Sequence, residues 1–213
     1  MAITIDEQAL LKLLQLTSPA LPVGAFSYSE GLETLVMQEH LTDSAALYNW
    51  LVQELRYGGV RMETAIALRA PHHLHSYDQL TYWNQWLTAS RDTAELRQQS
   101  WQMGRALVRL GQTLHPELKE IFAACGNPCN FAVAFGIIAA HWHIDTNTMA
   151  LGYLHSWAAN LIGAAVKLVP LGQTEGQSCL LQIIPELQTA TESIAALKDD
   201  ELYVSGWGSA ISS

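Results

Sequence analysis

Charged residues are scarce in this sequence, and basic residues are the scarcest of them. Only 15% of the 213 residues are charged, against about 25% in a typical soluble domain. The 11 Lys and Arg face 20 Asp and Glu, which gives a formal net charge of −9. An acidic chain repels phosphate backbones and anionic lipid heads, so nucleic acid and membrane surfaces are poor candidate partners. A large all-α core and a surface covered by a partner explain the low charge equally well.

Long apolar runs, basic residues at the start and evenly paired cysteines are also missing. The longest apolar stretch, FAVAFGIIAA at 131–140, is shorter than the roughly 20 residues that a spanning helix needs. The first residues, MAITIDEQ, carry acids where a signal peptide carries bases. Three unevenly placed cysteines do not suggest a disulfide framework. The sequence therefore predicts a protein of the reducing cytoplasm.

Helical periodicity dominates what is present. It is clearest from about Asp43 to Tyr57 and from about Thr146 to Leu168, where apolar residues recur at spacings of three and four. A further helix is expected from about Gly176 to Leu197. No stretch alternates around hairpin turns, and no internal repeat is visible. The sequence predicts an all-α fold, a single compact domain of roughly nine or ten helices in residues 1–197. Residues 198–213 are expected to form a mobile tail.

The stretch TSPALPVGAFSYSEGLE, residues 17–33, combines serines, prolines and glycines between two helical patterns. A catalytic serine in a nucleophile elbow needs G-x-S-x-G after a buried strand. Ser29 lies in S-Y-S-E-G after a helix and Ser27 fits less well, so helix capping explains these hydroxyls better. The two prolines reduce the entropy lost on docking. The stretch is better suited to presenting Phe26 and Tyr28 to a partner than to catalysis.

Histidines and cysteines offer a rival hypothesis of metal binding. Cys125 and Cys129 precede His141 and His143, but a zinc site of two cysteines and two histidines needs three to five residues between its histidines. On a helix, residues two apart point about 200° from each other, so these two histidines cannot chelate one ion together. In the run 71–75, PHHLH, His72 and His75 could share a helical face, although an exposed loop also explains them.

Neither the glycines nor the arginines define a phosphate site. The stretch VPLGQTEGQ, residues 169–177, follows a helix and contains no G-K-[ST]. The basic residues are grouped along one helix and its lead-in, where they form either a solvated face or a contact for an acidic partner: Arg91, Arg97, Arg105 and Arg109.

Three long stretches carry a family resemblance. Residues 18–33 read SPALPVGAFSYSEGLE, residues 89–104 read ASRDTAELRQQSWQMG, and residues 155–177 read HSWAANLIGAAVKLVPLGQTEGQ. They resemble the N-terminal signature, the central helix and the late helix with its following turn in the UreF family of urease accessory proteins. The resemblance extends over about residues 10 to 210.

The resemblance implies an all-α protein with no enzymatic activity and no resident cofactor. Members of this family bind a second accessory scaffold, called UreD or UreH, and recruit the nickel-carrying GTPase UreG. The assembly docks on apo-urease and delivers nickel coupled to GTP hydrolysis, while UreF gates the GTPase and contributes to a protected metal path. Family members commonly form homodimers.

Residues of this chain that match the family's motif positions are expected to have the same roles as in the family. The motif positions in the first stretch also include Ser18, Leu21, Gly31 and Leu32, and those in the second include Ser90, Met103 and Gly104. In the third stretch, Trp157, Asn160, Pro170, Leu171 and Gly172 match, and Trp157 and Asn160 are interpreted as structural. The residues predicted to contact partners are Pro19, Pro22, Gly24, Phe26, Tyr28, Ser29, Glu33, Arg91, Glu95, Arg97, Gln173 and Gln177.

One feature of the sequence departs from the family pattern. Family chains usually continue beyond a G-S-A-I-S-S end into a basic, aromatic tail that helps bind the scaffold, whereas this sequence ends at Ser213. The resemblance therefore does not by itself predict scaffold binding by the chain as written.

The alternative function is a nickel carrier that uses the His72–His75 or the His141 and His143 group, and direct nickel titration distinguishes a carrier from an adaptor that binds nickel weakly or not at all.

Overall fold

The structure is a computed structural model that describes residues 6–24, 31–91 and 93–202. In these ranges the chain forms eleven α-helices and no strand, which confirms the all-α prediction. The helices are α1 (Glu7–Leu16), α2 (Leu32–Met37), α3 (Ser44–Tyr57), α4 (Gly59–Arg69), α5 (Tyr77–Ala89), α6 (Ala94–Leu114), α7 (Lys119–Ala124), α8 (Phe131–His141), α9 (Thr146–Leu168), α10 (Gln173–Gln182) and α11 (Ile184–Ala195). Short 3-10 helices span Ala70–His73, Pro116–Leu118 and Asp199–Glu201.

Helix α8 lies at the centre of the fold because it is apolar on every side. All of its residues from Ala132 to Ala139 are buried, as expected for a helix with no polar face. It packs mainly against α6 and α4, while α9 packs against α4, α10 and α11. A Cβ atom at Gly136 would lie 2.4 Å from the carbonyl oxygen of Ala67, so α8 and α4 approach each other at backbone distance.

The two clearest sequence patterns correspond to α3 and α9. Helix α9 has the predicted bounds, Thr146 to Leu168. Helix α3 begins after Asp43, whose carboxylate accepts a hydrogen bond from the backbone N–H of Ala46 at 2.8 Å. Such a cap satisfies one of the N–H groups that the first helical turn leaves without a partner.

Replacing Asp43 by Ala is expected to lower the free energy of unfolding by about 1 kcal/mol, because the first turn of α3 loses this cap. Urea unfolding followed by circular dichroism measures the loss. Asn49→Ala is the control, since Asn49 lies exposed inside the same helix and its replacement should change stability by no more than about 0.5 kcal/mol. An equal effect of both substitutions contradicts the role of the cap.

The helix predicted from Gly176 to Leu197 is two helices, and that prediction was wrong in this respect. Helix α10 begins earlier, at Gln173, where the carboxylate of Glu175 accepts a hydrogen bond from the N–H of Gly172 at 2.8 Å. The chain then breaks at Ile183, and Pro185 lies in the first turn of α11. Proline is tolerated there because a first-turn N–H has no intrahelical partner, whereas it interrupts a continuous helix.

The start of the predicted tail lies against the helical body. Arg69 donates hydrogen bonds to the carbonyl oxygen of Leu197 at 2.9 Å and to the carboxylate of Asp199 at 2.8 Å. Leu202 is buried. Residues 203–213, the rest of the predicted tail, lie outside the described residues. In the part of the chain that is described, no helix is both long enough and apolar enough to cross a membrane.

Candidate interaction surface and histidine cluster

The proline loop, residues 17–24, is anchored in the core by some of its side chains and exposes others to solvent. Leu21 and Val23 are buried in the core, whereas Pro19 and Pro22 are exposed. A turn fixes the first proline, because the N–H of Leu21 donates to the carbonyl oxygen of Ser18 at 2.9 Å. The alternation of buried and exposed residues therefore presents two rigid side chains to solvent on an anchored backbone.

The far end of the same stretch leads into α2. Gly31 has a φ of +87°, a left-handed conformation that favours glycine, and it caps the helix. Leu32 is buried and Glu33 is exposed. Gly24, at the near end, also has a positive φ, of +76°. The predicted contacts Phe26, Tyr28 and Ser29 lie outside the described residues, as does Ser27.

Arg91 lies inside the protein and forms an ion pair with Glu63 of α4. Their side chains are 9% and 15% exposed, and the hydroxyl of Tyr153 on α9 donates to the second carboxylate oxygen of Glu63 at 2.6 Å. These bonds join the lead-in of α6 to two central helices. The sequence does not reveal this partner of Arg91, because Glu63 lies 28 residues earlier on another helix.

The other predicted contacts lie on the outside of the described chain. Glu95 is exposed and Arg97 is half-buried in the first turns of α6. Gln173 and Gln177 are exposed one turn apart on α10. The structure therefore distributes the predicted contacts over the proline loop, the start of α6 and α10, and places Arg91 beneath the surface.

The four arginines that the sequence groups along one helix and its lead-in do not form one continuous basic surface. Arg105 and Arg109 are exposed on α6 and line an open cleft of about 490 Å³ together with Phe122 and Asn127. A second groove, of about 380 Å³, is mostly apolar and is lined by residues that include Leu35, Leu41 and Trp50. Arg91 contributes to neither lining.

A histidine cluster, formed by His115, Glu117 and His141, lies where α6 and α8 end. The Nδ1 atom of His115 lies 3.1 Å from the Nε2 atom of His141. The Oε1 atom of Glu117 lies 3.5 Å and 3.1 Å from these two nitrogens. The indole N–H of Trp142 donates to Nε2 of His115 at 2.8 Å. Among the described residues, this is the group of three whose ligand atoms lie close enough to hold one metal ion.

The surroundings favour the protonation states that bind metal at neutral pH. Burial of the ring, and then the neighbouring His115, lower the pKa of His141, which favours its neutral form. A hydrogen bond from its own backbone N–H is the main cause that lowers the pKa of Glu117, and His141 and His115 lower it further. An ionised carboxylate and a neutral imidazole are both ligands for divalent metals.

The thiols of Cys125 and Cys129 contact each other, but among the described residues neither joins a histidine in a group of three ligands that could hold a metal ion. Cys125 and Cys129 are both buried, and the contact with the Cys125 thiol, together with burial, raises the pKa of Cys129. His143 lies in the left-handed turn that ends α8, with a φ of +60°, and is exposed outside the histidine cluster. Sequence reasoning missed His115 and Glu117 because only the packing of α6 on α8 brings them to His141.

Comparisons with known proteins identify the family of this chain. The chain matches the family model UreF over residues 41–184. The chain is 51% identical to the urease accessory protein UreF of Nostoc sp. over 212 residues, which covers 99% of this chain and 93% of that protein. It is 50% identical to UreF of Trichormus variabilis over 213 residues, with the same two coverages. UreF of Microcystis aeruginosa is 50% identical over 206 residues, 96% of this chain and 91% of that protein.

These matches place the chain among the proteins involved in the maturation of urease. Within that class, the chain belongs to the UreF family of urease accessory proteins. This finding confirms the resemblance seen in the three sequence stretches.

Proposed function

We propose that the chain is a non-catalytic adaptor in the assembly of the urease nickel centre. It binds the UreD or UreH scaffold, recruits or gates the GTPase UreG, and takes part in the delivery of nickel to apo-urease. It works in the cytoplasm and forms a homodimer. The observation that carries the proposal is the proline loop, whose buried Leu21 and Val23 hold Pro19 and Pro22 in a fixed, exposed position.

Exposed apolar side chains on both flanking helices support a docking role for this region. Leu14 on α1 is 56% exposed and Met37 at the end of α2 is 83% exposed. Leu11 is exposed on α1, one turn before Leu14. Scattered apolar residues are normal on a protein surface, but here they stand on either side of an anchored loop in the sequence. Apolar side chains on a rigid backbone lose little conformational entropy when a partner covers them.

The other residues predicted to contact partners remain part of the proposal, and only Arg91 takes a different role. Gly24 shapes the loop, and Phe26, Tyr28 and Ser29 are proposed to contact the partners. Polar contacts with the partners come from Glu33, Glu95, Arg97, Gln173 and Gln177. Arg91 acts by positioning the start of α6, because its guanidinium is bonded to the buried side of α4.

Replacing Leu14 by Glu is expected to weaken binding to the UreD or UreH scaffold at least tenfold, because a charge then lies in the apolar contact. Co-purification with the scaffold, followed by addition of UreG and measurement of the mass of the assembly, tests the effect. Tyr77→Glu is the control, since Tyr77 is also a large exposed side chain but begins α5. Tyr28→Ala tests the predicted anchor in the same assay.

The wild-type chain is expected to form a stable assembly with the scaffold and to recruit UreG. The assay uses the 213-residue chain and the same chain extended by a basic, aromatic tail of the family type. If neither folded form binds the scaffold, the adaptor role is wrong. If Leu14→Glu and Tyr77→Glu weaken binding equally, the proline-loop region is not the docking surface.

A further inference from the structure

The packing of α6 on α8 brings the histidine cluster together. A Cβ atom at Gly111 would lie 3.0 Å from the Cδ1 atom of Ile138, so the two helices approach closely at these residues. His115 follows Gly111 by one turn, and His141 follows Ile138 by one turn. The centroids of the two imidazole rings are consequently 4.5 Å apart. The 3-10 helix that begins at Pro116 then returns Glu117 to the same point.

The distances between the three ligand atoms match the edges of a metal coordination polyhedron. Bonds of about 2.1 Å to one ion separate neighbouring ligand atoms by about 3.0 Å in an octahedron and by about 3.4 Å in a tetrahedron. The observed separations are 3.1, 3.1 and 3.5 Å. We propose that His115, Glu117 and His141 bind one divalent first-row transition-metal ion, a site that goes beyond the adaptor role and does not depend on it.

The ligand types determine which ions fit. Two imidazole nitrogens and one carboxylate oxygen suit Ni²⁺, Zn²⁺ and Cu²⁺, whereas Mg²⁺ and Ca²⁺ prefer oxygen ligands alone. Three protein ligands leave at least one coordination position open for water or for a donor atom from another protein. The side chain of Glu117 is 59% exposed, so the site opens to solvent. An ion held in this way exchanges readily with its surroundings.

The hydrogen bond from Trp142 to His115 competes with metal binding. Because Nε2 of His115 accepts the indole N–H, the proton of the neutral ring lies on Nδ1, the atom that faces His141 and Glu117. Metal binding at Nδ1 moves this proton to Nε2 and breaks the bond with Trp142. The ion therefore competes with a hydrogen bond, which makes the site weak and gives it a spectroscopic reporter, the fluorescence of the buried Trp142.

Titration of the full chain with NiCl₂ or ZnCl₂ by calorimetry and by equilibrium dialysis tests the site. We expect one ion per chain, no binding of Mg²⁺, and at least tenfold weaker binding after His115→Ala, His141→Ala or Glu117→Gln. The matched controls are His143→Asn and Glu120→Gln, which alter an exposed histidine and an exposed carboxylate close to the site in sequence. His72→Ala combined with His75→Ala tests the histidine pair that the sequence indicated. All controls are expected to retain the wild-type affinity.

Trp142→Phe separates a metal site from a purely structural hydrogen-bond chain. Removal of the indole N–H frees Nε2 of His115, so metal binding is expected to tighten several-fold, and the metal-dependent change in tryptophan fluorescence should disappear. Circular dichroism verifies that each variant is folded, and Glu117→Gln changes an exposed side chain that the core does not need. The proposal is overturned if nickel and zinc do not bind at millimolar concentration, if the cluster variants bind as tightly as the wild type, or if Trp142→Phe weakens binding.

Discussion

Arg91→Met is expected to lower the free energy of unfolding by about 3–5 kcal/mol, because it leaves the carboxylate of Glu63 inside the protein without its cation. Both side chains are largely removed from solvent, so water compensates little for the loss. The hydroxyl of Tyr153 still donates to Glu63, but a neutral donor replaces only part of the interaction with a guanidinium. Denaturation by urea, with the slope compared between variants, measures the change.

A second substitution shows whether the unpaired charge causes the loss. Glu63→Gln in the Arg91→Met background removes that charge and keeps an oxygen that accepts from Tyr153. The double variant is therefore expected to be more stable than Arg91→Met alone, as is typical when both members of a buried ion pair are replaced. If the double variant is less stable than Arg91→Met, the ion pair does not carry the effect. That result would favour the prediction that Arg91 contacts a partner directly.

Gly104→Ala is expected to destabilise the fold by about 3 kcal/mol or more, although Ala is the better helix former. A Cβ atom at this position would lie 2.0 Å from the carbonyl oxygen of Cys129 and 2.9 Å from the backbone carbon of Asn130. Neither atom belongs to a flexible side chain, so α6 has to move away from the segment that leads into α8. Overpacking of this kind typically costs about 1–3 kcal/mol.

The displaced segment carries a buried hydrogen-bond network that adds to the cost. Asn130 is fully buried, and its side-chain NH₂ donates to the side-chain oxygen of Asn84 at 2.9 Å and to the hydroxyl of Thr88 at 2.8 Å. The hydroxyl of Ser100 on α6 donates to the side-chain oxygen of Asn130 at 3.0 Å. Loss of one such partner in the interior costs about 1–3 kcal/mol.

Gly163→Ala is the matched control for Gly104→Ala. Gly163 also lies inside a helix, α9, but a Cβ atom there would meet nothing within 4 Å. Its replacement should stabilise the protein by about 0.5–1 kcal/mol through helix propensity alone. Thermal unfolding of the two variants measures the contrast. A small or equal effect at both glycines contradicts the close approach of α6 to residues 129–131.

Local patterns in the sequence predicted the helices, because periodicity and caps act within a few residues. The bounds of α9 and the start of α3 at Asp43 follow from such signals. The sequence identified Gly104 as a family motif position, and the structure shows that it lets α6 approach the backbone of residues 129–131. The apolar pattern does not reveal the break at Ile183, because apolar residues continue on both sides of Pro185.

Contacts between distant helices could not be predicted from local spacing. The partner of Arg91 is Glu63 on α4, and the partner of His141 is His115 at the end of α6. Spacing argued against His143 as a second ligand beside His141, and the structure places His143 in a left-handed turn outside the cluster. Such pairings depend on how helices pack, which a single sequence does not reveal.

Residues 89–104, the stretch that resembles the family's central helix, thus contain two groups of residues with different roles. Arg91 and Gly104 hold α6 in place from within, through an ion pair and a close backbone contact. Between them in the sequence, Glu95 is exposed and Arg97 is half-buried, and both are proposed to contact partners. This division explains how one helix can serve both the core and the proposed docking of partners.

The nickel content of urease tests the adaptor role most directly. Urease is produced together with the UreD or UreH scaffold and UreG, either with this chain, without it or with the Leu14→Glu variant, and its bound nickel and activity are measured. The account predicts nickel-loaded, active urease with the wild-type chain, and largely empty urease without the chain or with Leu14→Glu. Full nickel loading in the absence of the chain contradicts it.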